Sequence, residues 1–183
     1  PYAKRDELVK RYATGIQPEF NSATMRVFEQ GHEAEALARP IVEMREFDGE
    51  ALYPVGATDG GLYNDRLSRS LSCSFDGLTD YDKIMWEHKQ FNKSLFQSVQ
   101  NDILPDHHYP QVQQGLLISD AEYCVFTVSD GTEDNMASMK VYPDEDWFNR
   151  IINGWAQFEK DVTEYQRKMK SGELEVIAEK PEV

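Results

Sequence analysis

The sequence lacks the features that would place the chain in a membrane or in a disulfide-rich class. Only two cysteines, Cys73 and Cys124, occur among 183 residues, so a disulfide framework is excluded and a reducing compartment is expected. No apolar run approaches the roughly 18 residues that cross a bilayer, and no secretory leader is visible. We therefore expect no membrane association and a cytoplasmic location.

Positive charge is also scarce. Nineteen Lys and Arg stand against 33 Asp and Glu, which gives a formal net charge of −14. Because phosphate contacts need local Lys and Arg, this balance lowers the expectation of general nucleic-acid binding. Net charge does not fix local potential, however. Basic residues gather near the middle of the chain, at Arg66, Arg69, Lys83, Lys89 and Lys93.

Several motifs of common enzyme classes are missing. The chain has no Gly-rich phosphate loop, no G-x-S-x-G motif and no internal repeat. His107 and His108 have no Cys or carboxylate at zinc-ligand spacing, so we interpret them as loop or cap residues. Cys124 lies inside an apolar run and is interpreted as a packed thiol. These absences disfavour P-loop, serine-hydrolase and zinc chemistry.

The pattern of apolar residues predicts one mixed α/β domain over residues 1–183, with a polar, disordered tail from about residue 172. Pro1 in place of Met indicates a fragment or a processed chain. A kink or break is expected near Pro40. The predicted helices cover 3–14, Asn21 or Ser22 to Glu46, 91–101, 106–119 and 144–170; short strands lie between Leu52 and Gln90 and in "EYCVFTV" and "MASMKVY".

The stretch "SCSFDGLTDYDKIMWEHKQ", residues 72–90, predicts a hairpin that carries charge. If residues 80–83 form a four-residue loop, Asp76 lies directly opposite Glu87, where like charges repel. Strand alternation places Lys89 on the same face as Glu87. The other face is expected to enter the core, with Phe75, Gly77, Ile84, Trp86 and His88.

Two opposed carboxylates with an ammonium beside them have a chemical use. Carboxylate oxygens suit a hard divalent cation such as Mg²⁺, which can activate a water for phosphodiester hydrolysis. Lys89 would orient that water or stabilise the developing charge. The alternative is a solvated hairpin in which Lys89 simply neutralises Glu87.

Two helical segments offer further members of such a site. Glu35 and Arg39 are spaced i,i+4, which is typical of a surface ion pair, although Glu35 could instead be a third carboxylate of the metal site. In "HHYPQVQQGLLIS", one of Gln111, Gln113 and Gln114 could hold the water or a phosphate oxygen. Ordinary polarity on an exposed helix is the alternative.

These motifs together resemble those of the lambda-exonuclease-like (YqaJ) viral recombinases. The resemblance covers roughly residues 10–165. It implies a PD-(D/E)XK nuclease core, an α/β fold with a mixed central β-sheet, a hairpin that carries the site, and flanking helices. The segments that carry it are "TGIQPEFNSATMRVFEQGHEAEALAR", "SCSFDGL", "WEHK", "HYPQVQQGLLIS" and "MASMKVYPDEDWFNRIINGWAQFEKDV".

The resemblance also implies roles for single residues. Lys89 would be the catalytic lysine, and Gln111 matches the first glutamine of "QVQ". Asp76 and Glu87 would act in catalysis as metal ligands. The implied ligands of Mg²⁺ or Mn²⁺ are Asp76, Glu87, Glu35 and the main-chain carbonyl of His88.

The implied activity is that of an exonuclease. The family resembled degrades linear double-stranded DNA, typically from the 5′ end, and feeds a single-strand-annealing recombination protein. Some members form rings, which implies a homo-oligomer in a bacterial or phage-infected cell. An arginine segment that usually contacts the DNA end is not apparent before Tyr2. The alternatives are a structure-specific endonuclease on the same core and a non-catalytic protein that binds DNA or a recombination partner.

Overall fold

A computed structural model describes residues 2–16, 21–80 and 84–174. It contains five helices and five strands, at the positions that the sequence predicts; the region from Leu52 to Gln90 holds three of the strands. The helices are α1 Tyr2–Thr14, α2 Ser22–Glu46, α3 Lys93–Gln100, α4 Tyr109–Ser119 and α5 Glu145–Ser171. The strands are β1 Tyr53–Thr58, β2 Ser72–Leu78, β3 Ile84–Gln90, β4 Tyr123–Ser129 and β5 Met136–Val141.

The strands form one mixed sheet in the order β1-β2-β3-β4-β5. Strands β3 and β4 are parallel, and the other neighbouring pairs are antiparallel. Strand β3 is therefore central, with helices on both sides. The predicted α/β class, with a mixed sheet and flanking helices, is confirmed. That residues 1–183 form a single nuclease domain stays a prediction.

Helix α2 covers one face of the sheet, and α3 and α4 cover the other. On the α2 side, Ala38 and Val42 pack with Ile84 and Trp86. On the opposite side, Met85 and the α4 and α3 residues share a second core cluster. Residues 84–88 of β3 are all buried, because successive side chains enter opposite cores. A polar residue in this strand is thus desolvated whichever face it takes.

The hairpin register agrees with the predicted loop. Gly77 pairs with Trp86, and Leu78 pairs with Met85. Thr79 faces Ile84: its N–H donates to the Ile84 carbonyl (3.0 Å). Of the loop residues, 81–83 lie outside the described part of the chain.

The predicted faces of the hairpin are wrong in one respect. Phe75 packs with Met85 on the α4 side, whereas Ile84 and Trp86 pack on the α2 side. The reason is an irregularity in the pairing of β1 with β2. Phe75 and Leu78 are three residues apart in β2, whereas their partners in β1, Val55 and Tyr53, are only two residues apart. A bulge of this kind shifts the alternation of side chains along β2.

Helix α2 continues through Pro40 without the predicted break. Ala38 and Val42, on either side of the proline, are fully buried against the sheet. This packing offsets the cost of about 3 kcal/mol that an interior proline carries. The helix begins as predicted, since the Asn21 side chain accepts a hydrogen bond from the Thr24 N–H (2.9 Å).

The outer helices pack on each other. Val9 of α1 contacts the Phe158 and Val162 stripe of α5.

Both cysteines are free thiols, and Cys124 is buried as predicted. In the described part of the chain, no helix is long and apolar enough to cross a membrane. The predicted disordered tail lies, from residue 175 onward, outside the described residues.

Candidate active site

The acidic residues meet where β2 and β3 separate. The β2–β3 ladder ends at Gly77 and Trp86, so Asp76 is not the direct cross-strand partner of Glu87 that the loop register predicts. Instead the half-buried Asp76 carboxylate accepts a hydrogen bond from the main-chain N–H of His88, with Oδ2 at 2.8 Å. The side chain thereby replaces the next bond of the ladder. The charge of Asp76 also raises the pKa of Glu87.

Glu87 is the most deeply buried carboxylate of the site, with 1% of its surface exposed. Its Oε1 accepts hydrogen bonds from Lys89 Nζ (2.5 Å) and Gln111 Nε2 (2.6 Å). Its Oε2 is also buried and has no hydrogen-bond partner among the described residues. A buried polar atom without a partner is costly. Since Glu87 is buried, the interpretation of its carboxylate as a solvated surface charge is wrong.

Burial raises the pKa of Glu87 to about 7, and the neighbouring carboxylates act in the same direction. The Lys89 ammonium opposes this shift but does not overcome it. Desolvation dominates because Glu87 lies on the central strand under α4. Near neutral pH the site therefore holds a carboxylate whose charge is only partly compensated.

Lys89 and Gln111 complete a triangle with Glu87. Lys89 Nζ donates to Gln111 Oε1 (3.0 Å) while also contacting Glu87. Gln111 stands in the first turn of α4, so this helix start aims its side chain at the strand. The other two candidate glutamines serve the fold: Gln113 Nε2 donates to the Tyr142 carbonyl and Gln114 Nε2 to the Ser72 carbonyl.

Glu35 forms the predicted i,i+4 pair with Arg39, and its role as a third carboxylate of a metal site stays a prediction. It pairs with Arg39 (Oε1 to Nη2, 2.6 Å), yet both side chains are only 19% exposed, so this is not a surface pair. Burial raises the pKa of Glu35, as does the charge of Asp76, and Arg39 lowers it. Glu35 therefore lies beside Asp76 as well as beside Arg39.

Arg39 is the residue whose importance the sequence did not reveal. Its Nη1 donates to the main-chain carbonyls of Asp76 (2.5 Å) and Leu52 (3.2 Å). The i,i+4 spacing to Glu35 was the one available signal, and it points only to an ion pair. The contacts with main chain of the sheet could not be anticipated from spacing.

The rings of three histidines lie outside the hydrogen-bonded contacts of the site described above. The His88 ring lies on the side away from Glu87, with Nε2 at 2.9 Å from Ser129 Oγ, and burial lowers its pKa to about 4. His108 occupies the N-cap position of α4 and His107 precedes it, as predicted for cap and loop residues. The predicted role of His88 concerns its main-chain carbonyl, which stays a prediction.

The donors suit a hard divalent cation. All candidate ligands are oxygens, as Mg²⁺ and Mn²⁺ prefer, and Glu87 Oε2 is a buried acceptor that no described residue bonds. No three His, Cys, Asp or Glu side chains of the described ranges stand in an arrangement that would grip a metal. Glu35 and Glu87 are each paired with a cationic side chain instead. The chemistry of the donor set nevertheless fits the cation, because every donor is an oxygen.

No family model and no curated protein matches the sequence. Among solved structures, the chain is similar to LHK-Exo in complex with dAMP, with a TM-score of 0.73 and 19% identity over 95% of this chain and 86% of that one. It is also similar to an alkaline exonuclease, LHK-Exo from Laribacter hongkongensis, with a TM-score of 0.69 and 22% identity over 93% and 85% of the two chains. The predicted resemblance is confirmed at the level of the fold.

Proposed function

We propose that this protein is a metal-dependent DNA exonuclease that hydrolyses phosphodiester bonds of linear double-stranded DNA. The observation that carries the proposal is the buried carboxylate of Glu87, which lies near Asp76 and Glu35, is bonded to Lys89 and has one oxygen without a partner in the described part of the chain. A purely structural acid would not need this concentration of charge. The fold adds support, because it is shared with an alkaline exonuclease.

Asp76, Glu87 and Glu35 would hold Mg²⁺ or Mn²⁺ together with the His88 carbonyl. When bound, such a cation supplies Lewis-acid stabilisation of charge on the phosphate and a lowered pKa for a nucleophilic water. The bond from the His88 N–H to Asp76 fixes one of these carboxylates against β3. A second carboxylate, that of Glu87, is held in place by its burial.

Lys89 is the proposed group that acts on the reacting phosphate. Its side chain is 26% exposed and its ammonium contacts the Glu87 carboxylate, so it can reach a ligand while Glu87 holds it in place. There it would orient the attacking water or offset negative charge in the transition state. Gln111 bonds both residues and fixes their separation.

The finer features of the proposal follow from the sequence resemblance. We propose degradation in the 5′ to 3′ direction, as part of phage-type recombination. A single-strand-annealing protein would receive the product strand, and the nuclease would work as a ring-shaped homo-oligomer on DNA ends.

The proposal is tested with end-labelled linear duplex and closed circular duplex, each incubated with Mg²⁺ or with a chelator. We expect digestion of the linear DNA alone, and only with Mg²⁺. Glu87→Gln should abolish it. Glu122→Gln is the matched control, since Glu122 is exposed before β4, at the opposite end of the parallel β3–β4 pair.

Either of two results would contradict the proposal and favour an alternative function. Equal digestion of linear and circular DNA would indicate an endonuclease. Binding of DNA ends without Mg²⁺-dependent cleavage would indicate a non-catalytic protein.

A further inference from the structure

The guanidinium of Arg39 joins four separate parts of the site. It is bonded to the Glu35 carboxylate on its own helix and to the carbonyls of Asp76 in β2 and Leu52 just before β1. Its Cζ lies 5.2 Å from the centre of the Trp86 ring. The side chain therefore spans from α2 to the sheet at the point where the carboxylates gather.

The contact with Asp76 falls on the irregular part of β2. Between Phe75 and Leu78, the β1–β2 register leaves Asp76 and Gly77 without Cα partners in β1. Backbone groups in such a segment need other hydrogen-bond partners. Arg39 donates a hydrogen bond to the main-chain carbonyl of Asp76, and the His88 N–H donates one to the Asp76 carboxylate. The orientation of Asp76 is thus fixed at both its main chain and its side chain.

Only arginine has the shape for this task. Its planar fork presents several N–H donors in fixed directions, so one nitrogen can bond carbonyls while the other bonds a carboxylate. Lysine carries the same charge on a single nitrogen and cannot reproduce the bridge. Trp86, fully buried beneath the guanidinium, restricts the plane in which the fork lies.

From these contacts we infer that Arg39 is a positioning residue of the cation site, which sets Glu35 and Asp76 relative to one another. The inference rests on the proposed function, because it concerns the same carboxylates. Residues that orient metal ligands without touching the metal typically change affinity or activity by about 10- to 100-fold. The effect should appear in cation affinity itself as well as in cleavage.

The experiment compares Arg39→Lys with the wild-type protein and with Arg45→Lys, a matched control on the exposed side of the same helix. Mn²⁺ binding is followed by electron paramagnetic resonance, without DNA, and melting temperature and Mn²⁺-dependent cleavage are measured alongside. We expect Arg39→Lys to raise the Mn²⁺ dissociation constant by about tenfold or more, and Arg45→Lys to leave it unchanged. If Arg39 contributed only its charge, Arg39→Lys would keep the Mn²⁺ affinity. If Arg39 contributed only packing, the substitution would lower the melting temperature without changing the Mn²⁺ affinity of the folded protein.

The outcomes separate the two claims. Unchanged Mn²⁺ affinity in Arg39→Lys, with an active wild-type enzyme, would overturn the inference and leave the proposed function standing. A wild-type protein that neither binds Mn²⁺ nor cleaves DNA would overturn both. Arg39→Met keeps the apolar stem over Trp86, so failure of both Arg39 variants to fold would also overturn the inference, by making Arg39 a residue of the core.

Discussion

Glu87→Gln should stabilise the protein in the absence of divalent cations, in a manner that depends on pH. Burial raises the pKa of Glu87 to about 7 from an ordinary value of 4.5. Below the ordinary value the carboxyl group is protonated in both the folded and the unfolded chain, so it has no effect. As pH rises toward 7, the unfolded chain releases the proton first, and the free energy of unfolding falls. Above pH 7 the full cost of the buried charge is present.

The shift corresponds to about 3 kcal/mol at its limit. Glutamine removes this cost because it carries no charge, and its side-chain oxygen can still accept bonds from Lys89 and Gln111. We therefore expect the variant and the wild-type protein to have similar stability near pH 4.5. By pH 8 the variant should be more stable by up to about 3 kcal/mol. His88, with a pKa of about 4, titrates in both proteins and cancels in the difference.

The assay is urea unfolding of both proteins at several pH values between 4.5 and 8 in chelator, with the free energy taken by linear extrapolation. Mn²⁺ should largely cancel the difference at pH 8, since a cation at 100 times its dissociation constant adds about 2.7 kcal/mol to the wild-type protein only. Glu122→Gln, at an exposed position, serves as the control for loss of one carboxylate from the surface. A Glu87→Gln protein that is less stable than wild type at pH 8, or a difference that is constant with pH, would refute the reasoning.

Three further variants test two residues of the candidate site and one close contact between a glycine and α2. Asp76→Asn keeps an acceptor for the His88 N–H, so it should retain the melting temperature while Mg²⁺-dependent cleavage falls to background; full activity in a clean preparation would reject the site. Gln111→Leu should lower the cleavage rate by about 10- to 100-fold with little loss of stability, and an unchanged rate would remove Gln111 from the site. Gly131→Ala should lower the free energy of unfolding by about 1–3 kcal/mol in denaturant titrations, because φ is +92° and a Cβ would lie 2.8 Å from Leu37 Cβ; Gly154→Ala, with open space around it, should cost nothing.

The elements were predictable because their signals are local. Asn21 caps α2 and Asp144 caps α5 through bonds to the next turn, and apolar spacing alone indicated both helices. The hairpin register followed from a four-residue loop. The continuation of α2 through Pro40 was not predictable in this way, because it depends on packing of the flanking residues against a sheet that lies later in the chain.

The candidate site was predictable in membership more than in geometry. Glu87, Lys89 and Gln111 do contact one another, and Asp76 and Glu35 lie beside them. Direct opposition of Asp76 and Glu87 was wrong, since that inference assumed an uninterrupted ladder. Arg39 was recognised only as an ion-pair partner, although it bonds the main-chain carbonyl of Asp76 and the Glu35 carboxylate at the same time.

The sequence by itself determined which segments become helices and strands and which residues carry charge near the hairpin, because these depend on neighbours a few positions away. The tertiary structure alone decided that β3 is covered on both faces, that β2 carries an irregularity, and that Glu87 is almost fully desolvated. Desolvation arises from atoms distant in the chain, and it is what converts an ordinary glutamate into one with a pKa near neutrality.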